Sequence, residues 1–161
     1  MLSPETFPII EGHEAIAASA LVDTAAAVCL KDAKGVLIVF HHATGSDVDV
    51  TLTVHEGATK AEAEAGTYPI TTGAEFPIWV TLACGSSDVP VRQADAISYK
   101  LDTGNLTGHS IVFFYIPAAK LTNNRKWVHL GSDTGGTGLC SVLYILDGER
   151  YQQATPPTAI A

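Results

Sequence analysis

Alternation of apolar and polar residues is clearest between residues 47 and 55, DVDVTLTVH. Aspartates, threonines and a histidine separate its apolar positions. A period of two is typical of a β-strand with one face in the core and the other in water. The apolar positions, which we expect to face the core, are Val48, Val50, Leu52 and Val54.

Two later segments repeat this alternation. FPIWVTLA, residues 76–83, and AISYKL, residues 96–101, each predict a strand with a single core face. In the first, Trp79 lies on the outward face with Pro77 and Thr81. The predicted inward residues are Phe76, Ile78, Val80 and Leu82 in the first segment, and Ile97, Tyr99 and Leu101 in the second.

Three other segments carry large apolar residues on both faces: VLIVF (36–40), IVFFYI (111–116) and CSVLYIL (140–146). Their shortness and their content of β-branched and aromatic residues favour strands over helices. A strand of an antiparallel sandwich normally shows one face to water, so the second face needs a cover. The inside of a closed barrel, the chain's own arms, another subunit or ordinary core packing would each provide one.

Turn-forming clusters separate the strands at intervals of about a dozen residues, which favours a sandwich or barrel over βαβ units. We therefore predict one all-β domain over residues 1–161, an antiparallel, jelly-roll-like β-sandwich. Weaker strands are expected near 25–30 and 127–130, and a short capped helix or a loop at 58–66. The alanine-rich stretch 14–27 fits either a loose helix or an edge strand.

Both ends are predicted to be extended arms, about 1–12 and 150–161, because they are rich in proline and isolated apolar residues. Arms of this composition usually lie on another surface, and aromatic residues are enriched at interfaces. The candidate residues for a subunit or capsid interface are Phe7, Ile9, Ile10, Trp79, Tyr151, Pro156, Pro157 and Ile160.

The composition predicts a folded acidic protein. Of its 161 residues, 47% are hydrophobic and 16% are charged, and the formal net charge is −8. The nine Lys and Arg residues are scattered apart from the adjacent pair Arg125 and Lys126, which argues against a nucleic-acid groove, since such a groove needs clustered cations. The sequence MLSPETFPII lacks a signal peptide's charged and apolar regions, and no apolar run is long enough for a membrane span, so we expect neither export nor a membrane partner. Cys29, Cys84 and Cys140 are too far apart for a disulfide framework and are interpreted as buried thiols.

Asp-Thr-Gly occurs twice, at residues 102–104 and 133–135, and is the triplet of carboxylate-dyad peptidases. Asp102 follows Lys100 and Leu101, whereas Asp133 follows Gly131 and Ser132, so the second copy lacks the apolar strand that such a site needs. Because Asp and Gly are also the residues that turns favour, we interpret both triplets as turns. The glycine-rich segment at 131–138 lacks the lysine of a phosphate loop.

The six histidines show no compact metal-binding motif, since His41 and His42 are adjacent and therefore point to opposite faces of a strand. No Gly-x-Ser-x-Gly motif is present, and the cysteines have apolar neighbours, which raise a thiol pKa. We therefore expect no metal, no cofactor and no catalytic residue, and predict that the protein is not an enzyme.

The C-terminal stretch LCSVLYILDGERYQQATPPTAIA has an apolar strand, an Arg-Tyr pair and a proline-containing tail that ends in small apolar residues. It resembles the small head decoration, or cement, proteins of tailed bacteriophages. The resemblance implies a jelly-roll β-sandwich, commonly a homotrimer, that is made in the host cytoplasm and binds the major capsid protein on the outer surface of the virion head. It implies no particular site residue. The remaining hypotheses are another virion surface role in the neck or tail, a glycan-binding jelly roll that uses Trp79, Trp127 and tyrosines, and, third, an aspartic peptidase.

Overall fold

The computed structural model describes residues 8–21, 26–43, 49–71, 73–102, 108–132 and 138–149, which contain ten strands. Short helices connect some of them: α1 (Lys60–Glu64) and two 3-10 turns, Ala18–Ala20 and Ala118–Lys120. The strands are β1 (Ile9–Ala17), β2 (Val28–Cys29), β3 (Ala33–His42), β4 (Val50–Gly57), β5 (Ile78–Thr81), β6 (Val91–Arg92), β7 (Ser98–Leu101), β8 (Ser110–Pro117), β9 (Trp127–Ser132) and β10 (Leu139–Glu149).

These strands form two packed antiparallel sheets, so the predicted all-β sandwich is confirmed. The larger sheet has the order β1-β10-β3-β8-β5-β6, and the smaller one has the order β2-β9-β4-β7. The three segments with two apolar faces lie in β3, β8 and β10, which are neighbours in the middle of the larger sheet. Their position gives each of them two hydrogen-bonded partners.

The core lies between the two sheets and is filled by alternate residues of each strand. On β4 the predicted alternation is confirmed for Val50, Leu52 and Val54, which are fully buried, while Val48 lies outside the described residues. Phe76 packs edge-on against Phe114 of β8, with ring centroids 5.9 Å apart. Aromatic and β-branched side chains thus fill the space between the two layers.

The alternation predicted for residues 76–83 is right for Phe76, Ile78 and Val80, which are buried, but wrong at its end. Thr81 is buried and Leu82 is 49% exposed. Strand β5 ends at Thr81, and Ala83 takes a positive φ of 53°, so the chain turns before Leu82 can point inward.

Helix α1 is the short capped helix expected at 58–66. The hydroxyl of Thr59 accepts a hydrogen bond from the N–H of Glu62 at 3.2 Å, and the Glu62 carboxylate accepts one from the N–H of Ala58 at 2.9 Å. Lys60 and Glu64 form an i,i+4 ion pair at 3.7 Å. Within the described residues, no helix is long and apolar enough to cross a membrane.

The N-terminal arm predicted over residues 1–12 is wrong for its described part, because residues 9–12 belong to edge strand β1. Strand β1 pairs with β10 through two register shifts, between Glu11 and His13 and between His13 and Ile16. These irregularities break the period of two, which explains why the sequence pattern concealed the strand. The alanine-rich stretch is the end of β1 followed by a 3-10 turn, and residues 22–25 lie outside the described ranges.

A buried ion pair joins β4 to the loop that precedes β9. Glu56 is 1% exposed, and its carboxylate accepts hydrogen bonds from the N–H and the hydroxyl of Thr122 and from the Arg125 guanidinium at 2.8 Å. The guanidinium also lies over the Tyr68 ring, 3.9 Å from its centroid. The loop is therefore fixed to the smaller sheet by charge, hydrogen bonds and a cation–π contact.

The hydroxyl of Tyr144 links the two sheets. Tyr144 of β10 is fully buried, and its oxygen accepts a hydrogen bond from the N–H of Leu130 on β9 at 3.0 Å. On β1, Gly12 lies directly against the Tyr144 ring, and a Cβ at that position would collide with it. A full-sized aromatic ring thus fits in the core only beside a glycine.

Replacing Tyr144 with phenylalanine tests this link. The ring stays, but the N–H of Leu130 loses its buried acceptor, so we expect Y144F to lower the free energy of unfolding by about 1–3 kcal/mol in urea denaturation. The control is Tyr99→Phe on edge strand β7, where the tyrosine is only half-buried and the loss should stay below about 0.5 kcal/mol. Equal losses in the two variants would contradict a structural role for the Tyr144 hydroxyl.

Candidate interaction surface

The outward face of the larger sheet is apolar. On β3, β8 and β10 the inward residues are buried, yet most of their outward neighbours are also aliphatic or aromatic, with Lys34, Ser141 and Asp147 among the exceptions. Antiparallel register aligns these outward side chains into rows across the sheet. One row contains Ile9, Ile145, Leu37 and Tyr115, and the next contains Leu143, Val39, Phe113 and Trp79.

One side of this face, near β1 and β10, has three large exposed side chains. Ile9 is 58% exposed, Leu139 is 55% and Leu143 is 40%, and these are large side chains that a lone domain usually covers. Exposed apolar side chains of this kind mark a site of interaction, and the polar residues Glu11 and Ser141 lie among them. We define the outer patch as Ile9, Val39, Leu139, Leu143 and Ile145.

The other side of the same face contains a groove of about 260 Å³, which we call the apolar groove. Trp79, on β5, has the Arg92 guanidinium 4.9 Å from its ring centroid. Val89 and Val91, next to Pro90 in the chain, are 66% and 61% exposed. The groove is lined by Leu37, Trp79, Pro90 and Phe113, so no charged or amide side chain lines it.

The outward face of the smaller sheet has a different character. Helix α1 covers one end of it, where Ala63 packs on Trp127. At the other end β4 and β7 show Thr51, Thr53 and Lys100, and Lys100 pairs with Asp49 at 2.6 Å. Only the larger sheet therefore leaves apolar side chains uncovered on its outward face in the part of the chain that the structure describes.

The predicted interface residues divide into three groups. Ile9 and Trp79 lie on the outward face of the larger sheet, in the outer patch and the apolar groove. Ile10, which was expected to be exposed, is half-buried and packs against the core beside Tyr144. The others lie outside the described residues, namely Phe7, Tyr151, Pro156, Pro157 and Ile160.

The glycan hypothesis used two tryptophans as stacking surfaces. Trp127 is 7% exposed and packs with Ala27 and Ala63, so it offers no free ring face. Trp79 keeps a partly open ring. The Trp127 part of that interpretation is therefore wrong, because α1, which is distant in sequence, covers the side chain.

A second cavity, of about 380 Å³, opens at the end of the sandwich where β3 begins and β8 ends. Lys31 joins the adjacent pair Arg125 and Lys126 in its lining. The pair is adjacent in the sequence, whereas Lys31 comes from the loop before β3, so the sequence could not show that the three cations lie together. Glu56 neutralises Arg125, which leaves the two lysines to attract anions.

Histidines that are distant in sequence form two ring pairs, one stacked and one tilted. The rings of His41 and His109 are 5.3 Å apart, and those of His55 and His129 are 5.9 Å apart. Burial lowers the pKa of His129 to about 4, helped by the neighbouring His55 and opposed by the Leu21 carbonyl. Among the described residues, no three His, Cys, Asp or Glu side chains lie close enough together to share a metal ion.

The cysteines are free thiols, but only one matches the expected burial. Cys140 is buried, which raises its pKa to about 12, whereas Cys29 and Cys84 are half-buried. The Cys140 thiol is therefore protonated and unreactive at neutral pH. Asp102, in the first Asp-Thr-Gly triplet, is exposed at the end of β7, and Asp133, in the second triplet, lies outside the described residues.

Comparisons of this chain with models of protein families, with curated proteins and with solved structures found no match.

Proposed function

We propose that this chain is a structural protein of a tailed-bacteriophage virion that decorates the outer surface of the head, has no enzymatic activity and uses the outer patch to contact other virion subunits. The observation that carries this proposal is the difference between the two outward faces of one sandwich. The smaller sheet is covered by α1 or polar, while the larger sheet exposes Ile9, Leu139 and Leu143. Exposed large apolar side chains grouped on one face are typical of a protein that binds a partner through that face.

Burial of the outer patch against the major capsid protein or against another copy would provide the missing cover. Stable protein contacts bury of order 1,000 Å² or more, and three linked subunits multiply a modest affinity through avidity. A net charge of −8 keeps free copies apart in solution before they attach. The resemblance of residues 139–161 to decoration proteins supports the same assignment.

The glycan-binding alternative has less support. Of its two tryptophans only Trp79 remains available, and one side of that ring already contacts Arg92; the exposed Tyr68 ring is likewise in contact with Arg125. A glycan site also needs polar groups around the ring, and the apolar groove has none in its lining.

Attachment to heads tests the proposal directly. The purified full chain is mixed with expanded heads of the phage that encodes it, from which the chain has been removed, and the pellet is analysed after centrifugation. We expect saturable co-sedimentation, and light scattering of the free protein should give the mass of a trimer. A monomer that does not bind heads would refute the proposal, and retention of that monomer on a glycan array would establish the alternative.

Leu143→Lys locates the contact. Because Leu143 is 40% exposed at the centre of the outer patch, we expect the substitution to change the free energy of unfolding by less than about 0.5 kcal/mol. The affinity for heads should fall about tenfold or more, because binding would remove the charged lysine side chain from water. The matched control is Thr53→Lys on the outward face of the smaller sheet, which should bind like the parent. Loss of binding in both variants would implicate overall charge instead of the outer patch.

A further inference from the structure

The apolar groove is a second feature of the larger sheet, separate from the outer patch. It is formed by Leu37 of β3, Phe113 of β8, Trp79 of β5 and Pro90 from the loop between β5 and β6. Aromatic rings set beside a proline, with no charged group between them, match the surfaces that bind polyproline II segments. Such segments bind well because proline has already restricted their backbone.

This chain contains one such segment outside the described residues. Residues 151–161, YQQATPPTAIA, carry no charged side chain and include the pair Pro156 and Pro157 followed by Ile160. An uncharged segment can enter the apolar groove without removing a charge from water. Its prolines favour an extended conformation of the kind that aromatic grooves accept.

The segment 151–161 is also long enough to reach the apolar groove from the end of β10. It follows Glu149, which pairs with Ala33 on β3, and Trp79 lies three strands from β10, in the row that contains Val39. At about 4.8 Å per strand and 3.3 Å per residue, this distance is about 24 Å along the sheet. An extended chain carries Pro157 up to about 26 Å and Ile160 up to about 36 Å from Glu149.

We propose that residues 155–160 of this chain bind in the apolar groove of the same molecule and cover Trp79, Phe113 and Leu37. Attachment to the same chain gives the segment an effective concentration in the millimolar range, which favours it over the segment of another copy. The outer patch stays uncovered and is left for other subunits. This inference does not depend on a role in a virion.

The test measures how accessible Trp79 is in the free full-length protein. Acrylamide quenching of tryptophan fluorescence is compared between the parent and the double variant Pro156→Gly, Pro157→Gly. We expect the quenching constant of Trp79 to rise about twofold, because the indole loses the segment that shields it. The matched control is Gln152→Gly, Gln153→Gly, which places two glycines in the same segment before the prolines and should behave like the parent.

Two further measurements make the result specific. In a Trp79→Phe background, where buried Trp127 is the remaining tryptophan, the proline variant should leave quenching unchanged. In the parent, quenching should not depend on protein concentration, as binding within one molecule requires. Equal quenching in the parent and the proline variant would overturn the proposal, and so would a dependence on concentration, which would assign the segment to a neighbouring copy.

Discussion

Glu56→Ala is expected to cause the largest loss of stability, about 3–5 kcal/mol. Glu56 is 1% exposed. Its carboxylate accepts hydrogen bonds from the backbone N–H and the hydroxyl of Thr122 and from the guanidinium of Arg125. Without it, the guanidinium, whose side chain is 23% exposed, has no counter-charge, and the N–H of Thr122 loses its acceptor. A loss of this size is about a third of the stability of an ordinary domain, and it should lower the melting temperature by about 10 °C.

Calorimetry and urea denaturation of the parent and E56A measure this loss. The control is Lys60→Ala, which removes the exposed pair with Glu64 at 3.7 Å and should cost less than about 0.5 kcal/mol. The double variant E56A/R125A should lose less than the sum of its single variants, because it also removes the orphaned cation. A loss under 1 kcal/mol in E56A, or strict additivity in the double variant, would show that the buried pair contributes little.

Acid is expected to destabilise the fold through His129, by about 3 kcal/mol between pH 6.5 and pH 4. The pKa of His129 is about 4 in the folded protein and 6.5 in the unfolded chain. Above pH 6.5 the His129 ring is neutral in both the folded and the unfolded chain, so His129 does not reduce the free energy of unfolding. As the pH falls below 6.5 the unfolded state gains a proton that the folded state excludes, which costs about 1.4 kcal/mol per pH unit until pH 4. Burial also lowers the pKa of His55, so its contribution has the same sign.

The measurement is the free energy of unfolding of the parent and of His129→Leu at pH 7, 5.5 and 4. The variant cannot take up the proton, so its stability should decrease less over this range, by about 3 kcal/mol. His55→Gln should remove a smaller part of the dependence. A pH dependence of H129L identical to that of the parent would assign acid destabilisation to other groups.

The strands of the core could be predicted from the sequence because their alternation is local. Residues 50–54 and 76–80 alternate regularly, and their inward side chains are buried. The capped helix was visible in Thr59 and Glu62 for the same reason, since both partners lie within one turn. Prediction failed where alternation stops, at the turn after Thr81 and at the register shifts of β1.

The candidate surface could be predicted only in part. Two apolar faces on β3, β8 and β10 indicated that some cover was needed, and Ile9 was correctly expected to be exposed and Trp79 to face outward. Leu143 lies near Ile9 because β10 is the neighbour of β1 in the sheet. Pro90 lies near Leu37 because the long loop after β5 folds over the sheet, and neither arrangement is visible in the local sequence. Pairs such as His55 and His129 likewise arise from the register of β4 against β9, which no local pattern specifies.

Strand β1 forms an edge of the larger sheet, and regular edges invite further strands from other molecules. Its two register shifts interrupt the row of backbone groups, and the carbonyl of Gly12 is already occupied by the N–H of Ala26. Another copy therefore finds no continuous ladder to extend at this edge. The irregular edge therefore protects the larger sheet against the strand-by-strand addition on which amyloid-like fibrils depend, although its outward face exposes apolar side chains.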